Sequence, residues 1–260
     1  MEEVKEMKFE IEKPEQELKG TKEVSKHPKE DETSGIGMAS KIFLKVAKIS
    51  VYALVFLLPL FFLPFTANFL EYQKQALLIF LVLLSLLSWL AYSLVSFRLE
   101  VNKSFVNIFV AFFVLLSLIS TLFSVFKYGS FWGNPLPAAQ SFLTLLAFTL
   151  LYYIVASIFR KEEISFLLFT VFISGFFASL IFIFHIFGKF IFPFDFSKTN
   201  SFNTIGSANA LALYLAILLI LLIPIIFFTK RILKIIFGIF GLTFLFSLIL
   251  INFKTAWLVF

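Results

Sequence analysis

A series of apolar runs, each long enough to cross a bilayer, constrains this chain more than any other feature. Seven of them follow Lys41, at about 42–65, 76–97, 105–126, 138–159, 164–188, 207–228 and 232–253. A hydrocarbon core of about 30 Å takes about 20 helical residues to span. In lipid every backbone polar group must be bonded internally, so only helices and closed barrels cross. The runs are continuous rather than alternating, which selects helices over barrel strands. With 60% hydrophobic residues and a mean hydropathy of +0.97, the expected fold class is all-α. The expected architecture is a polytopic membrane protein of about seven transmembrane helices, preceded by a disordered charged tail.

Charge is distributed very unevenly. Residues 1–40 carry 7 bases and 11 acids, net −4; residues 41–260 carry 15 bases and 5 acids, net +10, together the +6 of the whole chain. The tail is interrupted by Pro14 and Pro28 and has too little apolar surface to offset the entropy of ordering it. It is therefore read as a disordered cytoplasmic segment over 1–40, and 41–260 as the membrane domain. It has no apolar core of the kind a cleavable signal peptide carries. Gly35–Ser40, GIGMAS, has no preceding strand and no acidic partner at the spacing of a dinucleotide loop, so it is read as a hinge. The cationic balance of the remainder belongs to loops beside a bilayer, not to nucleic-acid binding. There is no cysteine, which excludes thiol nucleophiles, disulfides and zinc–thiolate sites.

Lysines and arginines set an expected orientation. With a cytoplasmic N-terminus, ten fall on the inner side: Lys41, Lys45, Lys48, Arg98, Lys103, Arg160, Lys161, Lys230, Arg231 and Lys234. Five, Lys74, Lys127, Lys189, Lys198 and Lys254, fall outside. That asymmetry favours the N-terminus inside. The two longest loops, 127–138 and 189–206, then lie on the outer face, and polar and aromatic residues gather in them. Pro59 and Pro64 are expected to kink or end the first helix. His185, alone in an apolar run, is a functional candidate by its position, although no carboxylate or second His accompanies it.

The chemistry open to these loops is polar and cationic. There is no phosphate-binding Gly-Lys loop, metal cluster or Ser-His-Asp set, so no metal and no cofactor is expected. Asp195 and Glu71 are the only outer acids and lie far apart in sequence. One loop offers Lys127, Tyr128, Trp132, Asn134 and Gln140; the next offers Lys189, Lys198, Asn200, Asn203 and Asn209. Aromatic and amide groups suit sugars, and lysines suit a diphosphate. The same residues equally compose an aromatic belt with solvated loops. The stretch Ser201–Pro224 shows this ambiguity most clearly. Ser207 or Asn209 could cap the helix that follows, or the loop with Gly206 could form a headgroup site at a positive helix terminus.

Ser120-Thr121-Leu122-Phe123-Ser124, Tyr128-Gly129-Ser130-Phe131-Trp132-Gly133 and Gln140-Ser141-Phe142-Leu143-Thr144 resemble, in order, a loop pattern of the O-antigen ligase and polymerase family. Ile205–Ala212 followed by Tyr214-Leu215 resembles that family's "GnpNalA.yL" element, and Asn252–Leu258 stands where the family tends to carry "SRgallg". The resemblance covers residues 115–258. It implies a membrane glycosyltransferase that moves a glycan from undecaprenyl diphosphate to an acceptor at the outer face of the cytoplasmic membrane, without metal or nucleotide sugar. The partners it implies are the bilayer and a polyprenyl-diphosphate-linked glycan. In the family, arginines are thought to hold the diphosphate and a histidine in a large external loop to act in catalysis.

This chain departs from that pattern in two motifs. Gly206-Ser207-Ala208-Asn209 replaces Gly-Asn-Pro-Asn, and Lys254 replaces an arginine, keeping charge but losing the bidentate fork. The family's later helices and large external loop are absent from these 260 residues, so the sequence is read as either an N-terminal fragment or a degenerate member, in both cases inactive in transfer by itself. The substrate-binding candidates are Trp132, Gln140, Asn203, Gly206, Asn209 and Lys254, with Gln140, Asn209 and Lys254 expected around one outward-opening cavity. A transporter or channel subunit, or a non-enzymatic scaffold using its acidic tail, are the competing readings.

Overall fold

In a computed structural model, the residues described are 30–63, 71–96, 104–133, 138–229, 231–254 and 256. Eight α-helices account for most of them, and there is no strand among the described residues. They are α1 (Glu30–Leu57), α2 (Glu71–Ser96), α3 (Val106–Leu122), α4 (Lys127–Trp132), α5 (Phe142–Ile158), α6 (Lys161–Ile186), α7 (Ala208–Phe228) and α8 (Arg231–Ile251). Single 3₁₀ turns sit at Ala138–Gln140 and Asp195–Ser197. Each of the seven apolar runs contains one long helix; α4 is an addition, inside a stretch expected to be loop. Four helices, α2, α6, α7 and α8, are long and apolar enough to cross a membrane. At 17 residues each, α3 and α5 rise only about 25 Å, less than a full hydrocarbon core.

Helix α1 begins inside the expected tail. Residues 30–40, including the Gly35–Ser40 hinge, are helical, and Ser40 Oγ donates to the Gly37 carbonyl at 3.1 Å. Helical hydrogen bonding continuous with the apolar half outweighs the entropic cost of the two glycines there. The rest of the tail, 1–29, lies outside the described residues. At its other end α1 stops at Leu57, two residues beyond which Pro59 sits in a turn closed by Phe61 N on the Leu57 carbonyl at 2.7 Å. Pro64 lies outside the described residues.

Two apolar cores build the bundle. Ala47, Val51, Leu54, Leu78, Val82 and Ile154 are buried where α1, α2 and α5 meet. Phe172, Leu215, Leu218, Leu222, Phe240 and Phe244 fill the space among α6, α7 and α8. The two are joined through α1 and α6. Gly175 lets α7 approach α6 closely, since a Cβ there would stand 2.3 Å from Leu218 Cδ1. Ser174 Oγ donates to the Phe56 carbonyl at 2.7 Å, and Tyr52 Oη to that of Glu163 at 3.2 Å. Glu163 accepts from Lys48 Nζ at 2.6 and 2.8 Å and from the Arg160 amide at 2.9 Å, capping α6 and tying it to α1. By contrast α3 buries no residue, and its Phe and Leu side chains face outward, as suits a helix solvated by lipid.

Candidate functional site

The first turn of α2 reads Glu71-Tyr72-Gln73-Lys74-Gln75. Consecutive helical residues point about 100° apart, so four adjacent polar side chains reach four directions at one end of the bundle. Gln73 takes both backbone groups of Leu63, donating to its carbonyl at 2.7 Å and accepting from its amide. Tyr72 Oη donates to the Gly133 carbonyl at 3.2 Å. Gln75 Nε2 donates to the Trp132 carbonyl (3.2 Å), Ser141 Oγ (2.9 Å) and Thr144 Oγ1 (3.1 Å). Lys74 Nζ donates to the carbonyls of Thr204 (2.5 Å) and Ile205 (3.0 Å). One helical turn thus holds the end of α1, the α4–α5 connection and the α6–α7 connection together. Lys74, read from sequence as an outer-loop lysine, is a helical residue that organises the loop bearing Asn203 and Gly206.

The helices it gathers are capped at the same end. Ser141, in extended conformation, accepts from the Thr144 amide at 3.3 Å to start α5. Ser207 does the same for α7, accepting from the Ala210 amide at 3.1 Å. Of the two capping candidates Ser207 is the cap; Asn209 stands exposed in the first turn of α7. Asn203, 1% exposed, accepts from the amides of Ile205 (3.0 Å) and Gly206 (2.9 Å), while its Nδ2 donates to the Ser201 carbonyl at 3.3 Å. Its polar atoms are thereby committed to shaping the loop. Gly206 has φ +141°, a conformation that favours glycine.

The other candidates separate. Gln140 is exposed and lines a cavity of about 930 Å³ among α3, α4 and α5. Ser117, Ser120, Thr121, Ser124, Ser130 and Ser141 give that cavity hydroxyls, while Phe113, Leu116, Leu145 and Phe148 give it apolar walls. The three sequence segments 120–124, 128–133 and 140–144 all contribute to its lining. Trp132 sits beside it with an exposed ring, edge-on to Phe131 at 5.3 Å, and its carbonyl on Gln75. Asn209 and Lys254 do not line this cavity. Lys254 is exposed beyond α8, after Asn252 turns the chain with φ +50°. Of Gln140, Asn209 and Lys254, expected around one outward-opening cavity, this hydroxyl-lined one holds Gln140 alone. The reason is topological: Gln140 lies in the α4–α5 connection, whereas Asn209 opens α7 and Lys254 follows α8.

His185 is fully buried beneath the 187–206 connection. The rings of Phe202, Phe190 and Phe192 surround it at 5.0, 5.6 and 6.0 Å. Neither ring nitrogen makes a hydrogen bond of good geometry, although the backbone of Ser197 and Thr199 lies near the ring. Phe62, in the segment after α1, meets Phe192 edge-on at 4.8 Å and Phe202 at 5.8 Å, adding a ring to the aromatic cluster. On the surface of that connection Lys198 pairs with Asp195 at 2.7 Å, and this hydrogen bond holds the Asp195 carboxyl below its usual range. Among the described residues no cluster of three or more His, Asp or Glu is placed to hold a metal ion.

Tyr72, Lys74 and Gln75 were not singled out by sequence reasoning. The available signal was four consecutive polar residues opening an otherwise apolar run. In comparisons with known proteins, no family model, no curated protein and no solved structure matches this chain.

Proposed function

We propose that this chain is a seven-span protein of the cytoplasmic membrane, N-terminus inside, that binds a lipid-linked glycan at its outer end. In this reading it is related to the O-antigen ligase and polymerase-like glycosyltransferases, and the glycan reaches it on a polyprenyl diphosphate. The observation that carries the reading is the cavity of about 930 Å³ beside α4, with hydroxyls and Gln140 on part of its wall and Phe and Leu on the rest. A polyol with an isoprenoid tail presents that same division of polar and apolar surface. The resembling segments supply the hydroxyls and the amide, which adds support from an independent direction. No cation lines the cavity among the described residues, so the sugar rather than the diphosphate is assigned to it.

The test is photocrosslinking in nanodiscs with a polyprenyl-diphosphate oligosaccharide carrying a diazirine on its first sugar. Label concentrated in peptides covering 113–148, and reduced severalfold by Gln140→Ala, is the expected result. Equal competition by polyprenyl phosphate without sugar, or label spread over all helices, would sink the proposal.

A further inference from the structure

We infer that the opposite half of α5 holds an anionic phospholipid, with its phosphate at Lys161. A second cavity, of about 540 Å³, runs along α5 toward the α5–α6 turn. Its apolar wall comes from Phe148, Leu151, Val155 and Phe159 on α5 and the turn, with Ile164 from α6. These α5 positions follow the three- and four-residue spacing of one helix face. From Phe148 to Phe159 that face extends about 16 Å, close to half of a hydrocarbon core of about 30 Å. The groove is therefore the length of one leaflet, and it ends at a cation.

Charge decides which lipid occupies it. Lys161 lines the groove at the end where a headgroup would lie, and Arg160 beside it is exposed. Of the nearby acids, Glu163 is already held by Lys48 at 2.6 Å and by the Arg160 amide. Glu162 is the other acid of this turn and is exposed to solvent. A zwitterionic headgroup gains little from Lys161, since its own cation competes; a net anionic phosphate gains a full charge-assisted contact. The cavity proposed for the glycan has the opposite character, hydroxyls with no cation, although Phe148 lines both. One helix thus presents a neutral polar site toward one leaflet and a cation-ended groove toward the other.

The experiment is native mass spectrometry of the full chain released from nanodiscs of phosphatidylglycerol and phosphatidylcholine in equal parts. Lys161→Gln should lower the phosphatidylglycerol preference of the retained lipid about fivefold, the worth of one basic residue near an anionic surface. Ala156→Phe, which fills the groove without altering charge, should lower retention of both lipids. Lys127→Gln, at the other end of the bundle, should leave the preference unchanged. Unchanged preference in Lys161→Gln, or an equal loss in Lys127→Gln, overturns the inference. So does undiminished retention in Ala156→Phe.

Discussion

Lys74→Met tests whether the first turn of α2 holds the 203–206 loop in place. Methionine keeps the apolar stem and removes the three donors, so packing changes little and both contacts to Thr204 and Ile205 are lost. Each hydrogen bond from a charged donor contributes about 1.5–3 kcal/mol net. Thr204 is fully buried, so its carbonyl loses its donor without gaining water. Part of the loss is offset, because the ammonium no longer has to be desolvated. A net destabilisation of the loop of about 2–3 kcal/mol follows, which corresponds to opening about 30- to 150-fold more often. Hydrogen exchange in nanodiscs reads this directly at the amides of Ile205 and Gly206, both bonded to Asn203 Oδ1. Lys189→Met, at an exposed lysine of the same connection, serves as the control. Exchange within twofold of the parent in Lys74→Met, or equal acceleration in the control, would refute the clamp.

Two further outcomes are expected. Gly175→Ala should lower the apparent Tm by forcing Leu218 off its contact, at a cost of about 1–3 kcal/mol, whereas Gly238→Ala, with nothing within 4 Å of the added methyl, should raise it through helix propensity; a reversed order would contradict the α6–α7 packing. Because the chain has no cysteine, single cysteines at Lys161 and Lys198 can be probed without background, and a membrane-impermeant maleimide should label them from opposite sides; labelling from one side would overturn the orientation.

The apolar runs made the helices legible because a lipid-solvated backbone has almost no alternative to helix, and 20 uncharged residues state that condition locally. The cap of α7 was legible as one of two residues for the same local reason: Ser207 acts on an amide three residues away. The start of α1 was not, since Gly35 and Gly37 argue against helix in isolation and are overruled by continuity with the apolar half. The candidate site was legible only in its parts. Segments 120–124, 128–133 and 140–144 were singled out together and do line one cavity, whereas Asn209 and Lys254, grouped with Gln140 on an expected membrane face, do not line it, because a shared face leaves lateral position open.

What sequence alone determined here is whatever depends on near neighbours along the chain: the helical class, the positions of the long helices, and the polar character of the connections. What only the tertiary structure decided is which of those polar groups meet. Lys74 lies 130 residues from Thr204, and Gln75 lies 66 from Ser141. Nothing in either local sequence encodes the other. Their contact arises because α1, α2 and α5 bury one apolar core while α6, α7 and α8 bury a second, and because α1 packs on α6. Apolar burial is non-directional, so it fixes how helices stack without naming a polar partner in advance. The hydrogen bonds are then made by whichever donors and carbonyls that stacking leaves within reach, since a buried carbonyl without a donor is costly.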